Sequence, residues 1–310
     1  MSKIAFLFPG QGAQKVSMGS DFYENCQEAR EIFDMASSVL GFDIKEICFT
    51  ENELLHKTEY TQPALVTTCL AMAKVVEKMG LVPDVCAGLS LGEYCAVATC
   101  GGMDAKDAIR LVRKRGILME GAVPEGVGSM AAVLSLETER IEEILTSIDG
   151  VSIANYNCPG QIVITGYKDA VEEASIKLKE AGAKKVIPLK VSGPFHSPFL
   201  VEAGNQLGNE LDKIAFHPLK HPYVSNVTAD YVEDISKTKE LFIKQVASPV
   251  KWQQSMERML TDGVDTFIEI GPGKTLSGFL KKIKRDVTLY NIETRKDAEQ
   301  VKELLCYKEK

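Results

Sequence analysis

Basic charge is in short supply in this chain: 36 Lys and Arg stand against 43 Asp and Glu, a net charge of -7 over 310 residues. A protein that neutralises many phosphates needs a net basic surface or a pronounced basic stripe, so nucleic acid is not an expected partner, and small molecules and proteins are. Long apolar runs are missing as well. No stretch approaches the ~20 residues of a membrane span, and Met1-Ser2-Lys3 leads straight into a strand-like Ile4-Ala5-Phe6-Leu7-Phe8, too short for the apolar core of a signal peptide. The expected setting is the cytoplasm, with no membrane partner. Histidine is scarce, at four residues, and no two of the eight cysteines have C-x-x-C spacing. Most cysteines, such as Cys69 and Cys95, fall inside apolar helical runs, so reduced thiols with neither zinc nor disulfides are expected. Repeats and low-complexity segments are absent, and only the Lys-rich C-terminal end reads as frayed.

What the chain does have is Gly88-Leu89-Ser90-Leu91-Gly92, a G-x-S-x-G between the strand-like Val85-Cys86-Ala87 and an apolar, helix-like Glu93 to Cys100. In a strand-to-helix turn this sharp only glycine fits two residues either side of the serine, and the hydroxyl is left exposed at a helix N-terminus. The Leu91 N–H, an unpaired donor of the first helical turn, points where a tetrahedral oxyanion would form. Acyl transfer suits such a site. The plainer alternative is a helix-capping serine in a tight turn.

The pattern predicts an α/β fold. Strands near 4–8 and 84–88 alternate with helices around 22–40, 61–79 and 105–120, as in a parallel sheet covered on both faces. From Ser129 to Val191 the rhythm becomes β-α-β-β-α-β: strands at 130–134, 151–155, 162–166 and 185–189, helices at 137–148 and 170–181. Glycines 121, 126 and 128 with Pro124, then Gly193-Pro194, punctuate its ends. Beyond it the first style returns, with helices near 199–213, 237–247 and 251–261 and strands at 223–227 and 266–270. The reading is an α/β-hydrolase-like large domain, residues 1–127 and 192–310, carrying an inserted ferredoxin-like small domain, residues 128–191.

A serine nucleophile needs a base. His196 lies in Ser192-Gly193-Pro194-Phe195-His196-Ser197-Pro198, where the inserted unit rejoins the main domain and a cleft would form. Both a base and an ordinary loop histidine remain open there. His217 and His221 read as surface connections and His56 as solvated. No acid between 90 and 196 is marked out as the third triad member, but a backbone carbonyl accepting Nδ1–H can fix the imidazole tautomer instead. Gly10-Gln11-Gly12 opens like a dinucleotide fingerprint but has Lys15 where the third glycine belongs, and Gly273-Lys274-Thr275 ends like a phosphate loop but has Ile268 where the leading glycine belongs. The first reads better as a loop bringing a backbone N–H towards the nucleophile, the second as part of a strand-to-helix turn. Arg115, if turned inward, would hold a carboxylate with its planar fork; periodicity leaves its direction open. Asn226-Val227-Thr228 fits a glycosylation acceptor but reads as structural.

Seven segments in order carry a resemblance over nearly the whole chain: Phe8-Pro9-Gly10-Gln11-Gly12, Thr61-Gln62-Pro63-Ala64, the serine motif through Tyr94, Lys114-Arg115-Gly116, Gly193-Pro194-Phe195-His196, Pro249-Val250-Lys251-Trp252 and Glu269-Ile270-Gly271-Pro272-Gly273. The chain resembles the malonyl-CoA:acyl carrier protein transacylases of type II fatty acid synthesis, relatives of the acyltransferase domains of polyketide and animal fatty acid synthases. Many relatives have His where this chain has Leu89, a variant also found among bacterial members. The resemblance implies Ser90 as nucleophile, His196 as base held by the main-chain carbonyl of Gln245, and an oxyanion hole from the N–H groups of Gln11 and Leu91. It implies Arg115 as the clamp on the malonyl carboxylate, Gln62 and Asn157 as pocket lining, and Phe195 as the residue that disfavours an α-methyl group. It also implies malonyl-CoA and holo acyl carrier protein as partners, a ping-pong exchange and no metal or nucleotide cofactor. The chain is expected to act as a monomer. Carrier docking falls to Lys281, Lys282, Lys284 and Arg285, the densest basic cluster, with Lys184, Lys185 and Lys190 as a second candidate. The same chemistry would serve a trans-acting acyltransferase of a polyketide synthase; a serine hydrolase would keep the elbow without needing Arg115, and a carrier-binding module without activity would need neither Ser90 nor His196.

Overall fold

Five apolar residues in a row, Ile4 to Phe8, form a strand covered on both faces, and this strand sits inside a six-stranded sheet. The computed structural model describes residues 2–191 and 193–308, so the proposed domain boundary at Ser192 and the last two residues of the Lys-rich end lie outside the described residues. In chain order the first part comprises β1 (Ile4–Phe8), α1 (Ser20–Asn25), α2 (Gln27–Leu40), α3 (Ile44–Phe49), α4 (Thr58–Lys78), β2 (Val85–Gly88), α5 (Gly92–Thr99) and α6 (Ala105–Glu120). The middle part is β3 (Gly128–Leu134), α7 (Thr138–Leu145), β4 (Val151–Cys158), β5 (Gln161–Tyr167), α8 (Lys168–Glu180) and β6 (Lys185–Pro188). The last part is α9 (Val201–Leu211), β7 (Tyr223–Val224), β8 (Tyr231–Val232), α10 (Thr238–Val246), α11 (Trp252–Thr261), β9 (Thr266–Ile270), α12 (Thr275–Ile283), β10 (Thr288–Ile292) and α13 (Arg295–Lys308).

The large sheet runs β10-β9-β1-β2-β7-β8. Its first five strands are parallel, and β8 pairs antiparallel with β7, so the sheet is mixed rather than parallel throughout. The second sheet, order β4-β5-β3-β6, is antiparallel, and its elements follow the β-α-β-β-α-β order. One face of this sheet packs α7 and α8 around its own core of Val133, Ile141, Ile164 and Leu178. From the other face Met130, Ala132 and Val163 join the large core. The two parts are also tied through the main chain: Tyr156 N–H donates to Val250 O (2.9 Å) and Val250 N–H to Ala154 O (2.8 Å), where β4 shifts register.

Several elements depart from expectation. The helix read over 22–40 is two helices, because Cys26 takes an extended backbone (φ -129°, ψ 124°) between α1 and α2. The strand read over 223–227 stops at Val224, since Ser225 and Asn226 turn away from the ladder to bond elsewhere. Helices α3 and α13 and strands β8 and β10 carried no expectation, and the C-terminal end that read as frayed is helical through Lys308. All seven cysteines with described side chains are buried free thiols. Among the described residues no helix is long and apolar enough to cross a membrane.

Candidate active site

The turn from β2 into α5 is closed by glycines at contact distance. A Cβ on Gly88 would stand 1.9 Å from the Gly92 carbonyl carbon, and one on Gly92 would stand 2.1 Å from Phe8 O. Ser90 between them is held at φ 51°, a left-handed conformation that a non-glycine residue keeps only when its surroundings enforce it. Asn226 does much of the enforcing. Buried completely, it accepts from Ser90 N–H through Oδ1 (2.6 Å) and donates to Gly88 O through Nδ2 (2.8 Å), spanning the turn.

His196, also at a positive φ of 60°, places Nε2 2.7 Å from Ser90 Oγ and Nδ1 2.9 Å from the main-chain oxygen of Gln245. A carbonyl only accepts, so Nδ1 carries the proton and Nε2 is free to accept from the serine. Burial, and then the positive charge of Arg115, push the imidazole pKa down to about 4, which keeps it neutral and its Nε2 lone pair free near neutral pH.

Arg115 reaches this pair from α6, and it is fully buried. Its Nη2 donates to Ser90 Oγ (3.1 Å) and to Gln245 Oε1 (3.0 Å), and its guanidinium lies 5.4 Å from the centroid of the Tyr94 ring. Its Nε has no hydrogen-bond partner among the described residues. Helix α6 comes this close because Gly116 sits on α4, where a Cβ would meet Glu59 Cα and Thr58 O at 2.9 Å. Pro63 inside α4 has no N–H to give to Glu59 O, and Arg113 Nη1 donates to that carbonyl instead at 2.6 Å. The Thr61-Gln62-Pro63 and Lys114-Arg115-Gly116 motifs are thus two halves of one helix contact.

A cleft of about 260 Å³ between the two sheets gathers the sequence-predicted residues. Gln11, Gln62, Ser90, Arg115, Asn157, Phe195 and His196 all line it, with the 9–13 loop on one side and Met130, Ala132 and Val163 of the small sheet on the other. Gln62 Oε1 and Asn157 Oδ1 are buried without hydrogen-bond partners among the described residues. The Gln11 and Leu91 main-chain N–H groups make no hydrogen bond among the described residues; Gln11 lines the cleft, whereas the Leu91 side chain is buried away from it. Lys281, Lys282, Lys284 and Arg285 stand exposed at the far end of α12, and only Lys282 reaches the cleft rim, 3.4 Å from Gln161 Oε1. Lys184, Lys185 and Lys190 are exposed just before, on and just after β6. His56 and His217 lie exposed away from the cleft. No residue pattern singled out Asn226 for this site, and no acid was marked near Ser90, yet Glu93, on the first turn of α5, is buried beneath the elbow.

A serine, a neutral imidazole, two free N–H groups and a buried guanidinium around one cleft equip it for acyl transfer. Residues 5–302 match the acyl transferase domain family. The chain belongs to that family. Over 302 residues this acyltransferase is 45% identical to the malonyl CoA-acyl carrier protein transacylase of Staphylococcus aureus (strain MRSA252), covering 96% of this chain and 97% of that protein. It superposes on the crystal structure of malonyl CoA-acyl carrier protein transacylase from Clostridium perfringens with a TM-score of 0.95 at 44% identity, over 99% of this chain and 98% of that one. A malonyl-transacylase in complex with its holo type II polyketide synthase acyl-carrier protein matches with a TM-score of 0.95 at 36% identity, over 98% of this chain and 100% of that one.

Proposed function

We propose that this acyltransferase moves the malonyl group from malonyl-CoA to the phosphopantetheine thiol of holo acyl carrier protein, supplying fatty acid synthesis in the cytoplasm. The observation that carries the reading is Arg115. A buried guanidinium lining the cleft, 3.1 Å from the candidate nucleophile and with Nε unpaired among the described residues, calls for an anion, and malonyl carries a free carboxylate where acetyl carries none. The names of the relatives agree with that substrate.

In the first half-reaction Ser90 Oγ attacks the thioester carbon while its proton passes to His196 Nε2. The N–H groups of Gln11 and Leu91 receive the oxyanion, and collapse expels the coenzyme A thiolate, which takes the proton from His196. In the second half the carrier thiol gives its proton to His196 and attacks the malonyl-serine ester, returning Ser90 to its hydroxyl form. Gln62 and Asn157 offer acceptors along the cleft wall, and the Phe195 ring fills the space an α-methyl would need. The cleft lies between an α/β-hydrolase-like large domain, 1–127 and 192–310, and an inserted ferredoxin-like small domain, 128–191, a reading the β4-β5-β3-β6 order supports. Water kept out between the halves preserves the ester.

Intact mass after incubation with malonyl-CoA tests this. The protein should gain about 86 Da, one malonyl group replacing a hydrogen, and Ser90→Ala should gain nothing. Label on the Ser90→Ala protein would overturn the nucleophile assignment, and steady release of free malonate without carrier would reveal a hydrolase. The polyketide-synthase neighbour makes a polyketide carrier the alternative acceptor, and relative transfer rates to the two carriers decide between them.

A further inference from the structure

Four groups of the site converge on one residue, Gln245 of α10. Its main-chain oxygen holds His196, its Oε1 accepts from Arg115, and its Nε2 donates to Ser90 O (2.9 Å) and to Glu93 Oε2 (2.5 Å). The chemistry of these partners fixes the amide's direction. Arginine only donates and a carboxylate only accepts, so turning the amide over would set its NH2 against the guanidinium and its oxygen against Glu93. Glu93 is completely buried, and its other oxygen has no partner among the described residues. A completely buried carboxylate is a costly thing to keep unless it does something for its neighbours.

We propose that Glu93 is a positioning residue: its carboxylate pins the Gln245 amide with the carbonyl towards Arg115, and so aims the guanidinium at the carboxylate of the acyl group. The inference rests on the malonyl reading of the site and extends it to the control of acyl choice. Arg115 already spends Nη2 on Ser90 and Gln245, and its buried Nε has no partner among the described residues, so donors remain for a carboxylate. If the amide swings, the guanidinium loses the acceptor that sets its tilt, and malonyl loses its clamp. Acetyl, having no carboxylate, loses nothing.

The charge on Glu93 gives this arrangement a pH dependence. Burial raises its pKa to about 7, with the Gln245 side chain, the Asn226 main chain, the Arg115 charge and the Ser225 hydroxyl pulling the other way. Arg115 of α6 is the cation that faces it. Tyr94 on its own helix and Tyr223 of β7 face it as phenols whose pKa values burial pushes well up, so both stay neutral. Above about pH 7 Glu93 is ionised and accepts only, holding the amide in place; below it, the protonated acid can also donate, the charged acceptor is lost, and the amide is left to the weaker hold of Arg115 and Ser90 O. His196 titrates near 4 and stays out of this range.

The test is the KM and kcat for malonyl-CoA and acetyl-CoA loading from pH 5.5 to 8.5, for the wild-type protein, Glu93→Gln and Glu93→Asp. In the wild type the malonyl KM should rise as pH falls through about 7 while the acetyl KM stays level. Glu93→Gln should raise the malonyl KM about tenfold at pH 8, with a much smaller change in kcat, and abolish the inflection. Glu93→Asp should restore part of both. Equal losses for malonyl and acetyl, or an inflection unchanged in Glu93→Gln, would overturn the proposal. Should Glu93→Gln fail to fold, the wild-type profiles decide alone: a malonyl KM without an inflection near 7 refutes the role. A wild-type protein that loads no malonyl at all would refute the malonyl reading itself, an outcome distinct from these.

Discussion

At the scale of single residues, the site works by holding strained groups in place and leaving others unpaired. Ser90 and His196 both sit at positive φ, and each is fixed by a neighbour far away in sequence, Asn226 for the serine and Gln245 for the histidine. Arg115 is the opposite case, a charge buried with donors to spare. Replacing it with Ala removes one side of the proposed buried charge pair, which costs about 2–5 kcal/mol. The kcat/KM for malonyl loading should therefore fall by at least about thirtyfold, while acetyl loading holds or improves. Loading assays with the two thioesters check this, and equal losses would show that Arg115 supports the fold instead. That Ser90, His196 and Arg115 would meet was expected from the family's short motifs, whereas the residues alone left His196 as base or loop histidine and Arg115 facing in or out; the structure brings all three to one cleft. Asn226 was not expected there: it lies 136 residues from the serine it braces, and an Asn-x-Thr spacing says nothing about that contact. Glu93 was visible as a letter of the serine motif, but its burial and its link to Gln245 exist only once α5 and α10 pack together.

At the scale of elements, the elbow depends on three pieces of backbone in contact, the end of β1, the end of β2 and the start of α5. Gly92 carries the tightest of these approaches to a neighbouring strand, with Phe8 O where its Cβ would be. Gly92→Ala must push α5 off β1, and neither side is a flexible side-chain tip, so a loss of about 2 kcal/mol or more is expected. Thermal unfolding measures that loss. Malonyl loading should fall further than stability alone explains, since the displaced turn carries both Ser90 and Leu91. Preserved stability would show that the turn can relax. Alternation of apolar strands and amphipathic helices made β1, β2, α4, α6 and the β-α-β-β-α-β unit readable, because each obeys its own local period. The break at Cys26, the early end of β7 and the short strand β8 escaped for the same reason. Two-residue strands have no period, and nothing in the local sequence marks the extended backbone at Cys26 that parts α1 from α2.

At the scale of the whole molecule, helix α12 links the inside of the cleft to the outside. Thr275, Leu276 and Phe279 line the cleft, while the last turn presents Lys281 and Lys282 to solvent, followed by Lys284 and Arg285. Its N-terminus is clamped by buried Glu269, which accepts from Leu276 N–H, Ser277 N–H and Asn291 Nδ2, so the helix is a fixed strut rather than a loose arm. A protein of net charge -7 repels an acidic carrier at long range, and a local basic patch beside the cleft mouth has to overcome that repulsion. Lys282 stands at that mouth, against Gln161 of the small sheet. Reversing Lys281, Lys282 and Lys284 to Glu should raise the carrier KM by roughly tenfold at low salt and flatten its dependence on ionic strength, because rim charges act mainly on association and are screened within about 10 Å at 0.1 M salt. Malonyl loading from coenzyme A should change much less, as Ser90, His196 and Arg115 are untouched. Steady-state kinetics at two salt concentrations separate these effects. Unchanged carrier kinetics in the triple variant would move the proposed docking surface to the other basic group, Lys184, Lys185 and Lys190, around β6 at the edge of the small sheet.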